Sequence, residues 1–153
     1  MAMFAMIRRA RMRALRSNNK GAAAVEFALL APVFFMLFLG VLQVAVYLQN
    51  YNAVQSLASD GARYVLVEYQ KNNSLTDTQI KQVVRGEAVN VPYMLDTDRL
   101  NITVDRSGTS RITGATEIDI ELEYELSDWI PGVDLPLSKI KYSRPVFVVT
   151  AEE

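Results

Sequence analysis

The hydrophobic residues of this chain follow three different patterns. The first is an apolar run from Ala22 to Leu48, in which the only strongly polar side chains are Glu26 and Gln43. A helix rises about 1.5 Å per residue, so about 20 apolar residues cross a hydrocarbon layer about 30 Å thick. The run is long enough, with some tilt, to predict one membrane-spanning helix. Pro32 lies inside it and predicts a kink or a locally released backbone hydrogen bond.

The second pattern is helical spacing. Beyond Leu48, apolar residues recur at intervals of three and four, and no convincing breaker separates them from the apolar run. They are Tyr51, Val54, Ala58, Gly61, Ala62, Val65 and Tyr69. We therefore expect one helix from about residue 22 to about residue 69, with its second half packed on the rest of the chain.

A second helix is indicated after the turn-rich segment 71–74. Residues 76–79, Thr-Asp-Thr-Gln, have the spacing of a capping box, and Ile80, Val83, Val84 and Val91 follow as an apolar face. This helix should end before Pro92, and residues 93–95 should enter the core.

The third pattern is strict alternation, which predicts strands at 100–105 and 112–126, joined by a turn at 107–110. A last strand is predicted at 141–150, where residues 146–149 are all apolar; this favours a central strand or one covered by the long helix. The predicted fold is therefore α+β and pilin-like: a long amino-terminal helix, partly transmembrane, on a small antiparallel sheet of three or four strands with one further helix.

The outer face of the second strand carries five carboxylates: Glu117, Asp119, Glu121, Glu123 and Glu125. Carboxylates on one face of a strand stand in a line about 7 Å apart, whereas a calcium site needs oxygens that converge from a loop. A solvated face is the better interpretation, with repulsion relieved by cross-strand pairing to Arg106, Arg111 or Lys141.

Charge is distributed unevenly along the chain. Six of the 16 basic residues and none of the 17 acidic residues lie within residues 1–21. Positive residues beside a membrane helix stay in the cytoplasm, so the amino terminus is predicted inside and the acidic part exported. The expected organisation is a basic leader (1–21), a transmembrane helix (22–48) and a head outside the cytoplasm (49–153), in which the helix continues to about residue 70.

Glu26 needs an explanation, because a carboxylate in a hydrocarbon segment costs about 3 kcal/mol on insertion scales. In one explanation it lies in the first turn of the helix, near the headgroups, where the helix dipole favours an anion. In the other, cleavage after Gly21 creates an α-amino group on Ala22, one helical turn from Glu26, which pairs with it in the same chain or a neighbouring one. Residues 17–19, just before Lys20, are typical of an accessible, extended segment.

These residues resemble a known family. A basic leader, Gly21, small residues, Glu26 at the fifth position after the glycine, then Phe27 and an apolar helix resemble the signal of type IV prepilins. With Phe27 where major tight-adherence (Flp) pilins usually carry Tyr, the sequence is similar to the TadE-like pseudopilins. Residues 60–64, Asp-Gly-Ala-Arg-Tyr, and the closing residues 146–153 resemble that family more loosely.

The resemblance implies a minor pilin or pseudopilin of a tight-adherence type IV pilus, cut between Gly21 and Ala22 and acting in adhesion and surface colonisation. The implied partners are the prepilin peptidase, other pilin and pseudopilin subunits, the inner-membrane assembly platform and membrane lipid. The implied location is the bacterial inner membrane, with one pass, and then the surface pilus. The alternative is an uncleaved single-pass membrane protein whose exported head scaffolds or binds an envelope partner.

The sequence contains no Cys and no His, which excludes thiolate sites and histidine-dependent catalysis. No catalytic constellation is visible, so we expect no enzyme, no cofactor and no metal site. One basic arm beside a membrane anchor does not favour nucleic-acid binding. The segment around Trp129, Ile130 and Pro131 has the composition of a loop and also contains apolar side chains. Exposed apolar loops often mark binding surfaces, so a partner contact is one interpretation; the other is that Trp129 covers the edge of the core.

Overall fold

The computed structural model describes residues 19–106, 108–126 and 138–149. These contain two α-helices, α1 (Asn19–Gln70) and α2 (Asp77–Ala88), a 3-10 turn (Thr97–Arg99), and strands β1 (Leu100–Asp105), β2 (Thr116–Glu125) and β3 (Lys139–Val148). The chain divides into two compact units, Met1–Val41 and Leu42–Glu153. The fold is α+β, as predicted: a long apolar helix, one further helix and an antiparallel sheet.

Helix α1 ends where the sequence predicts a turn. Asn72 adopts the left-handed conformation, with φ of 59°, and the amides of Lys71 and Asn73 both donate to the carbonyl of Glu68 at 3.0 Å. A left-handed residue that returns amides to the last turn is a common C-cap, and Asn is one of the residues that tolerates it. The turn therefore ends α1, and six residues, 71–76, lie between it and the start of α2.

Helix α2 begins with the capping box that the sequence predicts. The Thr76 hydroxyl accepts from the amide of Gln79 at 3.3 Å, and the Gln79 side chain accepts from the amide of Thr76 at 2.8 Å. Ile80 and Val84 are buried, as expected. The helix ends at Ala88, and Val91 lies beyond it with 81% of its surface exposed, so its assignment to the buried face is wrong.

The sheet has the order β1-β2-β3 with antiparallel pairing throughout. Leu122 of the middle strand pairs with Ile102 on one side and Tyr142 on the other. Alternate residues of β1 and β2 are buried, which is the period-two pattern that predicts them. β2 begins at Thr116, later than the predicted 112, because Ile112 lies in a turn and is half-exposed.

Strand β3 is an edge strand among the described strands, so its prediction as a central strand is wrong. Pro145 faces Asp119 in the register and has no amide hydrogen for a further partner strand. Its alternative prediction, cover by the long helix, agrees with the structure: the ring of Tyr142 stands 6.3 Å from that of Tyr51 on α1, edge to face. Within the apolar run, Val146 and Val148 are buried, whereas the ring of Phe147 lies 5.6 Å from Cζ of Arg111 and Val149 is exposed.

The core of the carboxy-terminal unit lies between α1, α2 and the inner face of the sheet. Its fully buried members include Val54 and Leu57 of α1, Ile80 of α2 and Ile120 of β2. Of the segment 93–95, Leu95 is buried and Tyr93 is half-buried, but Met94 is 74% exposed, so only part of that prediction is right. Gln43, the second polar residue of the apolar run, is buried.

Candidate assembly surfaces

The predicted cleavage site lies in the first turns of α1. Gly21 and Ala22 are exposed, and a side chain at position 21 would meet nothing within 4 Å. Asn19 is already helical rather than extended, which differs from the prediction for residues 17–19; Ser17 and Asn18 lie outside the described residues.

Glu26 and Ala22 are four residues apart within α1, and both are exposed. Residues at this spacing lie on the same side of a helix, about 6 Å apart between their Cβ atoms. The spacing that pairing of Glu26 with Ala22 requires is therefore present. The other explanation differs from the structure, because Glu26 is the eighth residue of α1 and no acidic residue lies in its first turn. Phe27 follows with 72% of its surface exposed.

The apolar part of α1 presents large side chains on all sides. Leu29, Leu30, Phe34, Met36 and Leu37 each expose more than 60% of their surface. The segment Gly21–Gln70 contains an 18-residue window with mean hydropathy of 2.5, of which 6% is buried. A helix that is hydrophobic all round needs an apolar environment, and this one is long and apolar enough to serve as a single-pass membrane anchor.

Pro32 is accommodated inside α1 and is exposed. Because proline has no amide hydrogen, the carbonyl of Ala28 loses its ordinary partner four residues ahead. The rings of Phe34 and Phe38 lie beyond it, stacked with centroids 6.5 Å apart. The kink at Pro32 stays a prediction.

The carboxylates of β2 are occupied by neighbouring side chains. Glu117 pairs with Arg111, Glu121 with Lys141, and Glu125 with Lys139 at 2.8 Å. Lys139 also lies 3.8 Å from Glu123, and the Ser143 hydroxyl donates to Asp119. Hydrogen bonding to Arg111 lowers the pKa of Glu117, and the same interaction with Lys139 lowers the pKa of Glu125. The row is a charge-paired outer face, and among the described residues no group of three or more acidic residues is arranged to hold a metal ion.

Arg106 was also expected to pair with this row, and that expectation is wrong. Its guanidinium instead donates to the Tyr69 hydroxyl at 2.7 Å, the Leu75 carbonyl at 2.6 Å and the carboxylate of Asp77. These groups belong to the end of α1, the connecting turn and the start of α2. Arg106 therefore joins three segments to the end of β1, and we call this the Arg106 clamp.

The predicted partner contact at Trp129, Ile130 and Pro131 lies outside the described residues. It stays a prediction. Two other surfaces were missed by the sequence argument: an exposed apolar loop at residues 89–94, and a groove between α1 and β3 that contains Arg63 and Arg144. Pro92 and Pro145 are the signals that mark them: Pro92 lies in the loop after α2, and Pro145 lies within β3, where proline indicates an edge strand.

Comparison with protein families gives one match: residues 21–63 match the family described as TadE-like protein. This segment is TadE-like. The matched region begins at the predicted cleavage site, includes Glu26 and Phe27, and covers a little over a quarter of the chain. The resemblance inferred from the amino-terminal residues is thereby confirmed, while the closing residues 146–153 lie outside the match. No curated protein and no solved structure matches the chain.

The TadE-like segment also contains a close approach between the two helices. Gly61 is buried against α2, and a Cβ atom at this position would lie 2.8 Å from Cγ2 of Val84. Its neighbour Asp60 accepts a hydrogen bond from the Tyr93 hydroxyl. The residues Asp60 and Gly61, which carried part of the resemblance, therefore fix how α1 meets α2 and the loop that follows it.

Proposed function

We propose that this protein is a minor pilin or pseudopilin of a tight-adherence pilus system, cut by a prepilin peptidase between Gly21 and Ala22. The observation that carries the proposal is the TadE-like match, which starts at Gly21 and contains Glu26 at the fifth position after it. The apolar helix anchors the chain in the inner membrane before assembly. The role is structural rather than enzymatic.

The order of the proposed events is inferred from the positive charge of the leader and from the exposed apolar side chains of α1. Removal of the basic leader takes away the charges that hold the amino terminus in the cytoplasm. The apolar half of α1 then exchanges lipid contacts for contacts with other subunits, using side chains that this chain leaves exposed. Glu26 pairs with the new amino group of Ala22, in the same chain or a neighbouring subunit, and this charge pair sets the register of the bundle.

The test is the intact mass and the amino-terminal sequence of the protein purified from cells with and without their prepilin peptidase. We expect a start at Ala22 only when the peptidase is present. The Gly21→Leu variant should keep its leader in both strains, because a bulky side chain hinders the close approach of a protease to the backbone.

A chain that retains residues 1–21 in both strains would contradict the proposal. It would leave the protein as a permanent single-pass membrane protein whose exported part scaffolds or binds an envelope partner. A start beyond Leu48 would instead indicate an ordinary secretory signal, since the cut would then follow the apolar segment.

A further inference from the structure

The loop at residues 89–94 presents apolar side chains to solvent in a fixed conformation. The amides of Tyr93 and Met94 donate to the carbonyl of Asn90 at 2.9 and 3.0 Å, and the amide of Leu95 closes the loop on the Ala88 carbonyl at 2.8 Å. The outward side chains are Val89, Val91 and Met94, which are 55%, 81% and 74% exposed. We call this segment the 89–94 loop.

Two anchors hold the 89–94 loop in place. Leu95 is buried in the core, and the Tyr93 hydroxyl donates to Asp60 of α1. That bond raises the pKa of Tyr93 to about 12, so the hydroxyl keeps its proton at neutral pH. Met94 adopts a φ of 51°, a left-handed conformation that is unfavourable for a residue with a side chain. Strain of this kind persists where the surrounding structure imposes it, and it is frequent at binding sites.

A shallow groove lies on the other flank of α1. It has a volume of about 350 Å³ and lies between Ser59, Ala62, Arg63 and Leu66 of α1 and residues 144–147 of β3. Leu66 is 39% exposed, and Phe147 is half-buried. We call this the Arg63–Arg144 groove.

The two surfaces differ in charge. Asp60 and Glu87 lie near Tyr93, since both act on its pKa, and they make the surroundings of the 89–94 loop acidic. Arg63 and Arg144 make the groove basic, and within the part of the chain that the structure describes neither of them has an ion-pair partner. An apolar projection with acidic flanks thus complements an apolar groove with basic flanks.

The surfaces also face in different directions. With about 3.6 residues per turn, Asp60 projects from one side of the buried stripe of α1, whereas Ser59 and Leu66 project from the other side. The buried residues Val54, Ala58 and Val65 lie between them. A contact from loop to groove therefore cannot form within one copy, and it joins two different patches of two copies.

We propose that the 89–94 loop of one copy docks into the Arg63–Arg144 groove of the next, so that copies associate head to tail. This inference deepens the proposed function and rests on it, because it names the surface through which assembling subunits meet. A contact between two different patches is heterologous: its repetition builds a ring where the rotation between copies closes and an open helical array where it does not. Three side chains make a small contact, which becomes effective when the apolar helices hold the copies at high local concentration.

Side-chain docking is favoured over strand addition at this edge. Pro145 lacks the amide hydrogen that an added strand would need, and the charged Arg144 stands on the helix-facing side of β3. Proline and inward-facing charge are both devices that discourage edge pairing. The groove therefore accepts a projecting loop and not another strand.

The experiment uses cysteine cross-linking of the full-length chain in membranes of the cells that make it, since the natural sequence has no cysteine. Met94→Cys and Leu66→Cys are introduced singly, co-expressed as a mixture, and combined in one chain. Both positions are exposed, so neither substitution removes a core contact. We expect little product from either single variant, a cross-linked dimer from the mixture, and a ladder of multimers from the double variant.

The matched control replaces Met94→Cys by Thr78→Cys, on the exposed side of α2, and should give no ladder with Leu66→Cys. Charge supplies a second readout: Glu87→Arg or Arg63→Glu alone should remove most of the cross-linked product, and the two together should restore it. Dimers from either single variant, a ladder from the control pair, or no product from the mixture would overturn the contact.

The amino-terminal sequence of the same samples separates this inference from the proposed function. A start at Ala22 without cross-linking rejects the contact and leaves the pilin proposal in place. A ladder from chains that retain residues 1–21 rejects processing and leaves the contact in place.

Discussion

Gly61 illustrates how one residue sets the distance between two helices. Its buried position and the nearness of Val84 leave no room for a methyl group without movement of a stiff, β-branched side chain. Gly86, on the exposed face of α2, has nothing within 4 Å. Substitutions at the two glycines therefore distinguish the effect of packing on stability from the effect of helix propensity.

Gly61→Ala should destabilise the protein by about 1 kcal/mol, because overpacking costs about 1–3 kcal/mol and the gain in helix propensity offsets about 1 kcal/mol of it. Gly86→Ala should stabilise by up to about 1 kcal/mol, since only the propensity changes. Urea unfolding of the detergent-solubilised chain measures both. Equal shifts in the same direction would show that the contact with Val84 has no energetic importance.

For individual residues, the sequence predicted local interactions correctly and contacts between distant segments incorrectly. It predicted the Thr76–Gln79 capping box correctly because that interaction is local, and its residue types specify it. It misplaced Arg106, because the groups that receive this guanidinium are up to 37 residues away and meet it only in the folded state. Met94 was assigned to the core on hydrophobicity alone, which cannot distinguish a buried from a presented side chain.

At the scale of elements, alternation located β1 and β2 but could not order the strands. The run 146–149 is apolar on both faces, as in a central strand, yet β3 is at the edge and covered by α1. Pro145 was the better indicator, since proline is confined to edge strands and bulges. Strand order depends on how distant segments meet, and periodicity within one segment carries no information about that.

The outer face of β2 makes the stability of the carboxy-terminal unit sensitive to acid. Hydrogen bonding to Arg111 and Lys139 lowers the folded-state pKa values of Glu117 and Glu125 below their ordinary value of 4.5. A lowered pKa contributes stability that is present above the unfolded-state value and is lost as pH falls through the folded-state value. Unfolding free energy should therefore decrease below about pH 4.5, most clearly at low salt.

Arg111→Gln tests this prediction. The variant should show a smaller decrease than the natural chain between about pH 5 and about pH 3, because Glu117 then has no partner to lose. Urea unfolding at the two pH values measures the difference. Arg63→Gln is the matched control, since it removes one positive charge that has no ion-pair partner among the described residues and should leave the acid sensitivity unchanged. Identical acid sensitivity in the natural chain and in Arg111→Gln would contradict the assignment to this pair.

For the whole molecule, the proposed assembly depends on one carboxylate. Glu26→Gln keeps the size of the side chain and removes its charge, so membrane insertion should remain and the yield of pili should fall strongly. Phe27→Tyr is the control, because it changes the neighbouring residue to the one usual in major pilins and leaves the charge intact. Quantification of sheared pili and of membrane-bound protein measures both effects. Normal piliation by Glu26→Gln would refute the pairing with the amino group of Ala22.

The Arg106 clamp should affect the rate at which the folded subunit unfolds. Its three bonds join β1 to segments about 30 or more residues earlier in the chain, so they require long loops to close and should form after the main barrier to folding. Interactions absent from the transition state slow unfolding and leave the folding rate almost unchanged. The clamp should therefore prolong the lifetime of each folded subunit, which suits the place outside the cytoplasm that we propose for this unit.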